Sequence, residues 1–291
     1  MKHYKFDSSY YVSTASLTWD AMLKMTGIEI ELFTDITMHD FVEQAKRGGI
    51  SIACHQYFKA NNPKMGKEFD PKQPTTWISY VDANNLYGWA MSQFLPIGKY
   101  RWEERRAQLK DNPELHKQWL NRILKTKANA NREYFVNIKA HFSLNTHDKL
   151  DLPPAVENIK VKRDWLSFYN KKQVKELDNN RFTSTEKLIT HLGERDEYVI
   201  HYLELQYYIK LGMVVDEIYE ILLFEQTNWL EPYIRFNTEM HQKAANDFEK
   251  NFYKLMNNAI YGKTMENVRN YQDVKIMPIR NKSDEKKYRK R

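Results

Sequence analysis

The stretch YVDANNLYGWAMSQFLP occupies residues 80–96. Its left flank, WISYV at 77–81, predicts a strand, and Asp82 stands at the carboxyl end of that strand. Two asparagines follow, then Leu86, Tyr87 and Gly88 open a helix-like segment. A lone carboxylate closing a buried strand is costly unless it is paired, hydrogen-bonded or bound to a metal. Capping the helix that follows is one role for it, and capping can coexist with metal binding.

Upstream, residues 15–45 read as mostly helical. TMHDFVEQAKRGG at 37–49 is the clearest piece, with Thr37 as its cap and Gly48 and Gly49 as its stop. Residues 60–76 are turn-rich, with prolines at 63, 71 and 74. Downstream, residues 101–131 are charged and helical in pattern. EYFVNIKAHF at 133–142 alternates strictly, so Tyr134, Val136, Ile138, Ala140 and Phe142 share one face of a half-buried strand. A second strand is expected at 159–162 and a helix over 196–212, stopped by Gly212. MVVDEIYEILLFEQ returns to strand, and 228–270 is largely helical with Pro232 near a helix start. Strands and long helices mixed without a regular βαβ rhythm predict an α+β fold.

The 291 residues allow one large domain or two modest ones. A 42% hydrophobic and 14% aromatic composition supplies a core and excludes a disordered chain. The balance of 45 Lys and Arg against 38 Asp and Glu leaves +7, which favours polyanion partners without demonstrating them. Cys54 is the single cysteine, so an internal disulfide and a cysteine zinc cluster are excluded. No apolar run approaches the ~18 residues of a transmembrane helix, and the N-terminus lacks the apolar core of a signal peptide. An intracellular chain, not secreted and not membrane-bound, is the expectation, with nucleus and cytoplasm undistinguished.

KAANDFEKNFYKLMNNAIYGK, residues 243–263, carries a polar stripe. On a helical wheel of ~100° per residue, Phe248, Phe252, Leu255 and Ala259 share one face. Lys243, Lys250, Lys254, Asn258 and Tyr261 line the opposite side. A solvated face accounts for the lysines. A reader of phosphates and bases accounts for Asn258 and Tyr261 as well, since both are mediocre helix formers that a plain surface does not require. Asp247 lies near the stripe and weakens a purely electrostatic account.

Two of these segments form an ordered pair. Asp82-Ala-Asn-Asn-Leu-Tyr-Gly88 resembles motif A of family B DNA polymerases, D-x-x-S-L-Y-P. Lys254-Leu-Met-Asn-Asn-Ala-Ile-Tyr-Gly262 resembles their motif B, K-x-x-x-N-S-x-Y-G. KRGG at 46–49 is similar to the Y-x-G-G element of the protein-primed branch, and the longer phrases resemble polymerases of Maverick/Polinton transposons. The sequence departs from the pattern at Lys46, Asn85, Gly88 and Ala259. Asp82, Tyr87, Lys254, Asn258, Tyr261 and Gly262 match it.

The resemblance implies a partial right-hand polymerase: part of the palm, helical fingers and an insertion. Asp82, with the Ala83 carbonyl, would hold catalytic Mg²⁺ or Mn²⁺. Tyr87 would lie under the deoxyribose and exclude a 2′-hydroxyl. Lys254 and Lys250 would hold the incoming triphosphate, and Asn258 and Tyr261 would shape the base-pair pocket. Arg47, Gly48, Gly49, Gly262 and Lys263 would meet DNA. The implied partners are a DNA template and primer, deoxynucleoside triphosphates and a terminal-protein primer.

The implied organisation is a helical lead-in at 1–50, a palm part with motif A at 51–98, and an insertion of terminal-protein-region type with palm pieces at 99–240. A fingers helix at 241–270 and a basic tail at 271–291 follow. Two-metal transfer also needs a second carboxylate element, Y-x-D-T-D in this family, but the sequence contains no D-T-D. Asp273 and Asp284 sit in polar surroundings and are poor substitutes, and no convincing exonuclease D-x-E is present, EIE at 29–31 being too weak a match. The expectation is an internal piece of a polymerase, lacking the exonuclease domain and the motif C and thumb region, and inactive by itself. The competing reading is a noncatalytic nucleic-acid-binding or interaction protein derived from such an enzyme.

Overall fold

The computed structural model describes residues 4–270 except 54, 56, 151, 152 and 178–180. Cys54, Asp273, Asp284 and the basic tail therefore lie outside the described residues. In chain order the helices are α1 (Thr14–Thr26), α2 (Ile36–Ala45), α3 (Leu86–Met91), α4 (Arg106–Leu109), α5 (Pro113–Lys125), α6 (Leu144–His147), α7 (Phe168–Leu177), α8 (Tyr202–Lys210), α9 (Glu231–Lys243) and α10 (Asp247–Thr264). The strands are β1 (Leu95–Trp102), β2 (Arg132–Phe142), β3 (Glu157–Lys160), β4 (Glu186–Ile189), β5 (Arg195–His201) and β6 (Met213–Thr227). The fold is α+β, as the mixed pattern predicts. The described residues divide into two compact units, one over 4–31, 82–98 and 226–270, the other over 32–81 and 99–225.

The second unit is built on a four-stranded sheet of order β1-β6-β2-β5. β2 is central and pairs antiparallel on both sides, Val136 lying opposite Ile221 and Ile200. The predicted face is the buried one: Tyr134, Val136, Ile138, Ala140 and Phe142 all enter the main core. Leu115, Trp119 and Ile123 of α5 cover that face together with Tyr202 and Leu205 of α8. The start of α5 is locally encoded, because the Asn112 side chain accepts the Leu115 N–H at 3.0 Å and Pro113 takes a position that needs no N–H donor. A separate pair, β3 with β4, is antiparallel.

Four sequence expectations need correction. The helix expected over 196–212 is β5 followed by α8. Tyr198 and Ile200 bury on one face of β5 and Val199 on the other, against Phe41 and Leu222, so this aromatic and β-branched run satisfies two cores at strand spacing. Gly212 does close α8, at φ +106°, where a Cβ would stand 2.3 Å from Thr146 Oγ1.

The strand expected at 77–81 does not form. Among the described residues it has no partner strand, and Tyr80 and Val81 are 95% and 84% exposed. Asp82 after it is exposed too, so the burial penalty argued for it does not apply. The cap of α2 is Asp35 rather than Thr37. Its carboxylate accepts the Thr37 N–H at 2.8 Å and the Thr37 hydroxyl at 2.7 Å, and the helix ends at Ala45 before the glycines.

The first unit packs α1, α3, α9 and α10 around Ala21, Met22, Met91, Leu230, Tyr233, Ile234, Met256 and Ile260. α1 is capped by Ser13 and ends at Gly27 in the left-handed conformation, whose N–H reaches the Leu23 carbonyl at 2.9 Å. Pro232 sits in the first turn of α9, as expected. The fourth correction concerns α10, whose buried residues are Tyr253, Met256, Asn257 and Ile260, with Phe252 half-buried beside them. Phe248 and Leu255 are exposed, and Lys243 belongs to α9, not to the stripe. Centring the core face one helical step away leaves Lys250, Lys254 and Asn258 still exposed.

Candidate functional site

The start of α10 is fixed by reciprocal capping. Asn246 Oδ1 accepts the Glu249 N–H at 2.9 Å, and the Glu249 carboxylate accepts the Ala245 N–H at 3.0 Å. This places Lys250 and Lys254 one turn apart on the first half of the helix. Opposite them the chain enters α3 through Asn85, which holds the left-handed conformation at φ 54°, ψ 40°. Asparagine tolerates that conformation better than most residues with a Cβ.

Between these elements, within the first unit, lies a cleft of about 870 Å³. Residues 83–87 form one wall, and Lys250, Lys254 and Asn258 form another. Thr238, His241 and Gln242, at the end of α9, complete it. The lining contains two lysines and a histidine and no carboxylate, so it favours an anion. Its size suits a ligand of nucleotide dimensions. On the aromatic side, the rings of Tyr87 and Tyr261 stack at 4.0 Å between centroids and 12° between planes.

Of the residues singled out from sequence, Ala83, Tyr87, Lys250, Lys254 and Asn258 line this cleft, and Tyr261 joins through its stack on Tyr87. Asp82 immediately precedes the lining residues and is solvent-exposed. Gly262 is exposed one residue beyond Tyr261, and the Lys263 ammonium pairs with Glu266. Arg47, Gly48 and Gly49 belong to the other unit. There the Arg47 guanidinium donates to the Val199 carbonyl at 2.8 Å and lies 3.8 Å over the Tyr198 ring. Gly48 and Gly49 are exposed, and neither has a positive φ.

Sequence reasoning missed the contribution of α9. A ring nitrogen of His241, Nδ1, lies 2.8 Å from the Lys250 carbonyl oxygen, so it is the donor and the opposite nitrogen is the one left for a ligand. Asn257 is nearly buried, and its amide donates to Thr238 Oγ1 at 3.3 Å, tying α10 to α9. Reading 228–270 as one helical stretch conceals the break at 244–246 that turns α9 back along α10. The only local sign of it is the Asn246-x-x-Glu249 capping pattern.

The sequence matches no protein-family model and no curated protein at a significant level. The chain does resemble solved DNA polymerases. A phi29 DNA polymerase in an orthorhombic crystal form shares 15% identity at a TM-score of 0.48, covering 88% of this chain and 37% of that one. The same polymerase in a ternary complex with primer-template DNA and incoming nucleotide gives 15% and 0.44, covering 87% and 36%. Its binary complex with primer-template DNA gives 13% and 0.45, covering 87% and 35%. The chain thus spans little more than a third of the solved structures it resembles. Among the described residues, no helix is long and apolar enough to cross a membrane.

Proposed function

We propose that the cleft binds a deoxynucleoside triphosphate and that the chain is part of a DNA-directed DNA polymerase of the protein-primed family B type. The observation that carries this reading is the cleft itself. It sets the Tyr87–Tyr261 stack beside Lys250 and Lys254, with no carboxylate in the lining. Ammonium groups one turn apart can follow a triphosphate, and a phenol ring can pack against a sugar or base. In this reading Lys254 and Lys250 hold the phosphates, Tyr87 guards the sugar, and Asn258 and Tyr261 border the base. Gly262, Lys263, Gly48, Gly49 and Arg47 are the proposed DNA contacts, Arg47 being already engaged with Val199. The Maverick/Polinton kinship, the terminal-protein partner of the 99–240 region and the assignment of palm and fingers segments are further parts of the proposal.

The proposed metal is Mg²⁺ or Mn²⁺, with Asp82 and the Ala83 carbonyl as ligands. One exposed carboxylate beside an anion-favouring cleft fits a hard cation shared with substrate phosphates. Among the described residues it does not fit a two-ion arrangement, which needs further carboxylates to hold ions ~3.5–4 Å apart. Binding the nucleotide is therefore the role assigned to these residues, and bond formation by this chain alone is not. The test is equilibrium binding of a deoxynucleoside triphosphate with and without Mg²⁺, paired with primer extension. Metal-assisted binding lost in Lys254→Ala supports the reading. Templated extension abolished by Asp82→Ala would show that the chain is active alone. Oligonucleotide binding without nucleotide binding would favour the noncatalytic alternative.

A further inference from the structure

The short helix α7 and the turn before it present their aromatic side chains to solvent. Phe168 is 86% exposed, Tyr169 66% and Trp165 50%. The half-buried residues of α7 are Gln173 and Val174. At 100° per residue Phe168 lies diametrically opposite them, and Lys171, Lys172 and Lys175 fall within about 60° of Phe168. The outward face of α7 thus carries one aromatic ring with three lysines around it, of which Lys171 donates to the Asp164 carbonyl at 2.9 Å and Lys172 lies 3.8 Å from the Glu176 carboxylate. Lys162 adds a fourth, its Nζ 5.4 Å from the centre of the Trp165 ring.

The surrounding charge decides what such a face can hold. Residues 160–177 contain six lysines and arginines and two acids, a net +4 out of +7 for the whole chain. An apolar protein partner has no use for that charge, whereas a polyanion does. Among polyanions, a duplex keeps its base faces stacked inside and offers only phosphates along its length. A single strand offers phosphates to lysines and free base faces to rings in alternation.

We propose that Trp165, Phe168 and Tyr169, with Lys171, Lys172 and Lys175, form a stacking surface for single-stranded nucleic acid. The surface is distinct from the nucleotide cleft and does not require the cleft to work. The rings take successive bases, and the lysines follow the phosphates between them.

Fluorescence anisotropy of the full chain with a labelled oligo(dT) of ~20 nucleotides, and with a duplex of equal length, tests this. The expected result is tighter binding of the single strand. It falls by about tenfold or more in Phe168→Ala/Tyr169→Ala, while duplex binding hardly changes. These residues are exposed, so the double variant keeps its fold, checked by an unchanged melting temperature. Lys172→Gln/Lys175→Gln should lower the salt slope of oligo(dT) binding by about 1.4, or 0.7 per phosphate contact. Equal affinity for both strand forms, or no loss in the aromatic variant, overturns the proposal. So does self-association of the wild-type chain that the aromatic variant abolishes, which would make a second copy the occupant. Nucleotide binding at the cleft, measured separately in the same variants, is expected to stay at the wild-type level, so failure here and failure of the cleft are distinguishable.

Discussion

The side chain of Asn85 occupies the space that any Cβ on Gly88 would fill. A Cβ built there stands 2.4 Å from both terminal atoms of the Asn85 amide. These positions are also the two at which the sequence departs from D-x-x-S-L-Y-P, with asparagine for serine and glycine for proline. The two departures are sterically linked, because an asparagine folded back over the start of α3 requires a bare backbone at residue 88. Gly88→Ala alone must expel the Asn85 amide from the cleft wall. In an Asn85→Ala background the same substitution meets no obstacle and gains helix propensity, about 1 kcal/mol. A double-mutant cycle on thermal stability should therefore return a coupling of about 1 kcal/mol or more. Additive effects would show that the two residues are independent.

Lys254→Ala should weaken deoxynucleoside triphosphate binding about tenfold, the cost of one charge-assisted contact. DNA affinity should change far less. Equal losses in both would assign Lys254 to the nucleic acid instead of the triphosphate.

Tyr87 is stacked flat on Tyr261, so its ring is held in place before any ligand arrives. Tyr87→Val should narrow the preference for deoxynucleotides over ribonucleotides in a binding competition. Tyr261→Ala should do the same more weakly, by freeing the Tyr87 ring. Discrimination unchanged in both variants would remove Tyr87 from the sugar-guarding role.

Glu133 lies in β2 with no exposed surface. Burial, opposed in part by a hydrogen bond with the Tyr202 phenol, pushes the Glu133 carboxyl up to about 8. Its ordinary value is 4.5, so between pH 4.5 and 8 the folded state holds a proton that the unfolded state has lost. Stability then falls as pH rises through this window, by up to about 5 kcal/mol once pH exceeds 8. Glu133→Gln should flatten that slope and melt higher than the wild type at pH 9. An unchanged pH profile would mean that water reaches the carboxylate in the folded state.

Local chemistry explains what was legible in the sequence. The alternation of β2 is written in consecutive residues and appears as read; the Asn112-Pro113 start of α5 is equally local, although the reading of 101–131 as a charged helical stretch does not single it out. At 77–81 the same strand grammar failed, since periodicity says nothing about whether a partner strand is present. EYVIHYLELQYYIK satisfies helix and strand spacing together, and the packing of Val199 on Phe41 and Leu222 settles its first half. The cleft was legible on the α10 side, where Lys250, Lys254 and Asn258 share a stripe. His241 and Thr238 were not, because only the turn at 244–246 brings them alongside.

Gly262 offers the sharpest separation between folding and binding. It lies inside α10 near its end, where glycine costs the helix up to about 1 kcal/mol relative to alanine. The fold of the described residues asks for nothing there: the backbone has no positive φ, and a Cβ would meet none of their atoms within 4 Å. Gly49 shares this freedom, and Gly48 meets only the tip of Leu188 at 4.0 Å. A residue that weakens its own helix without serving the packing calls for a reason outside the chain, and close approach of a DNA backbone is the one proposed here. Gly262→Ala should therefore raise the melting temperature by a few degrees while lowering primer-template affinity, measured on the same preparation. A variant that is both more stable and equally tight on DNA would remove residue 262 from the interface.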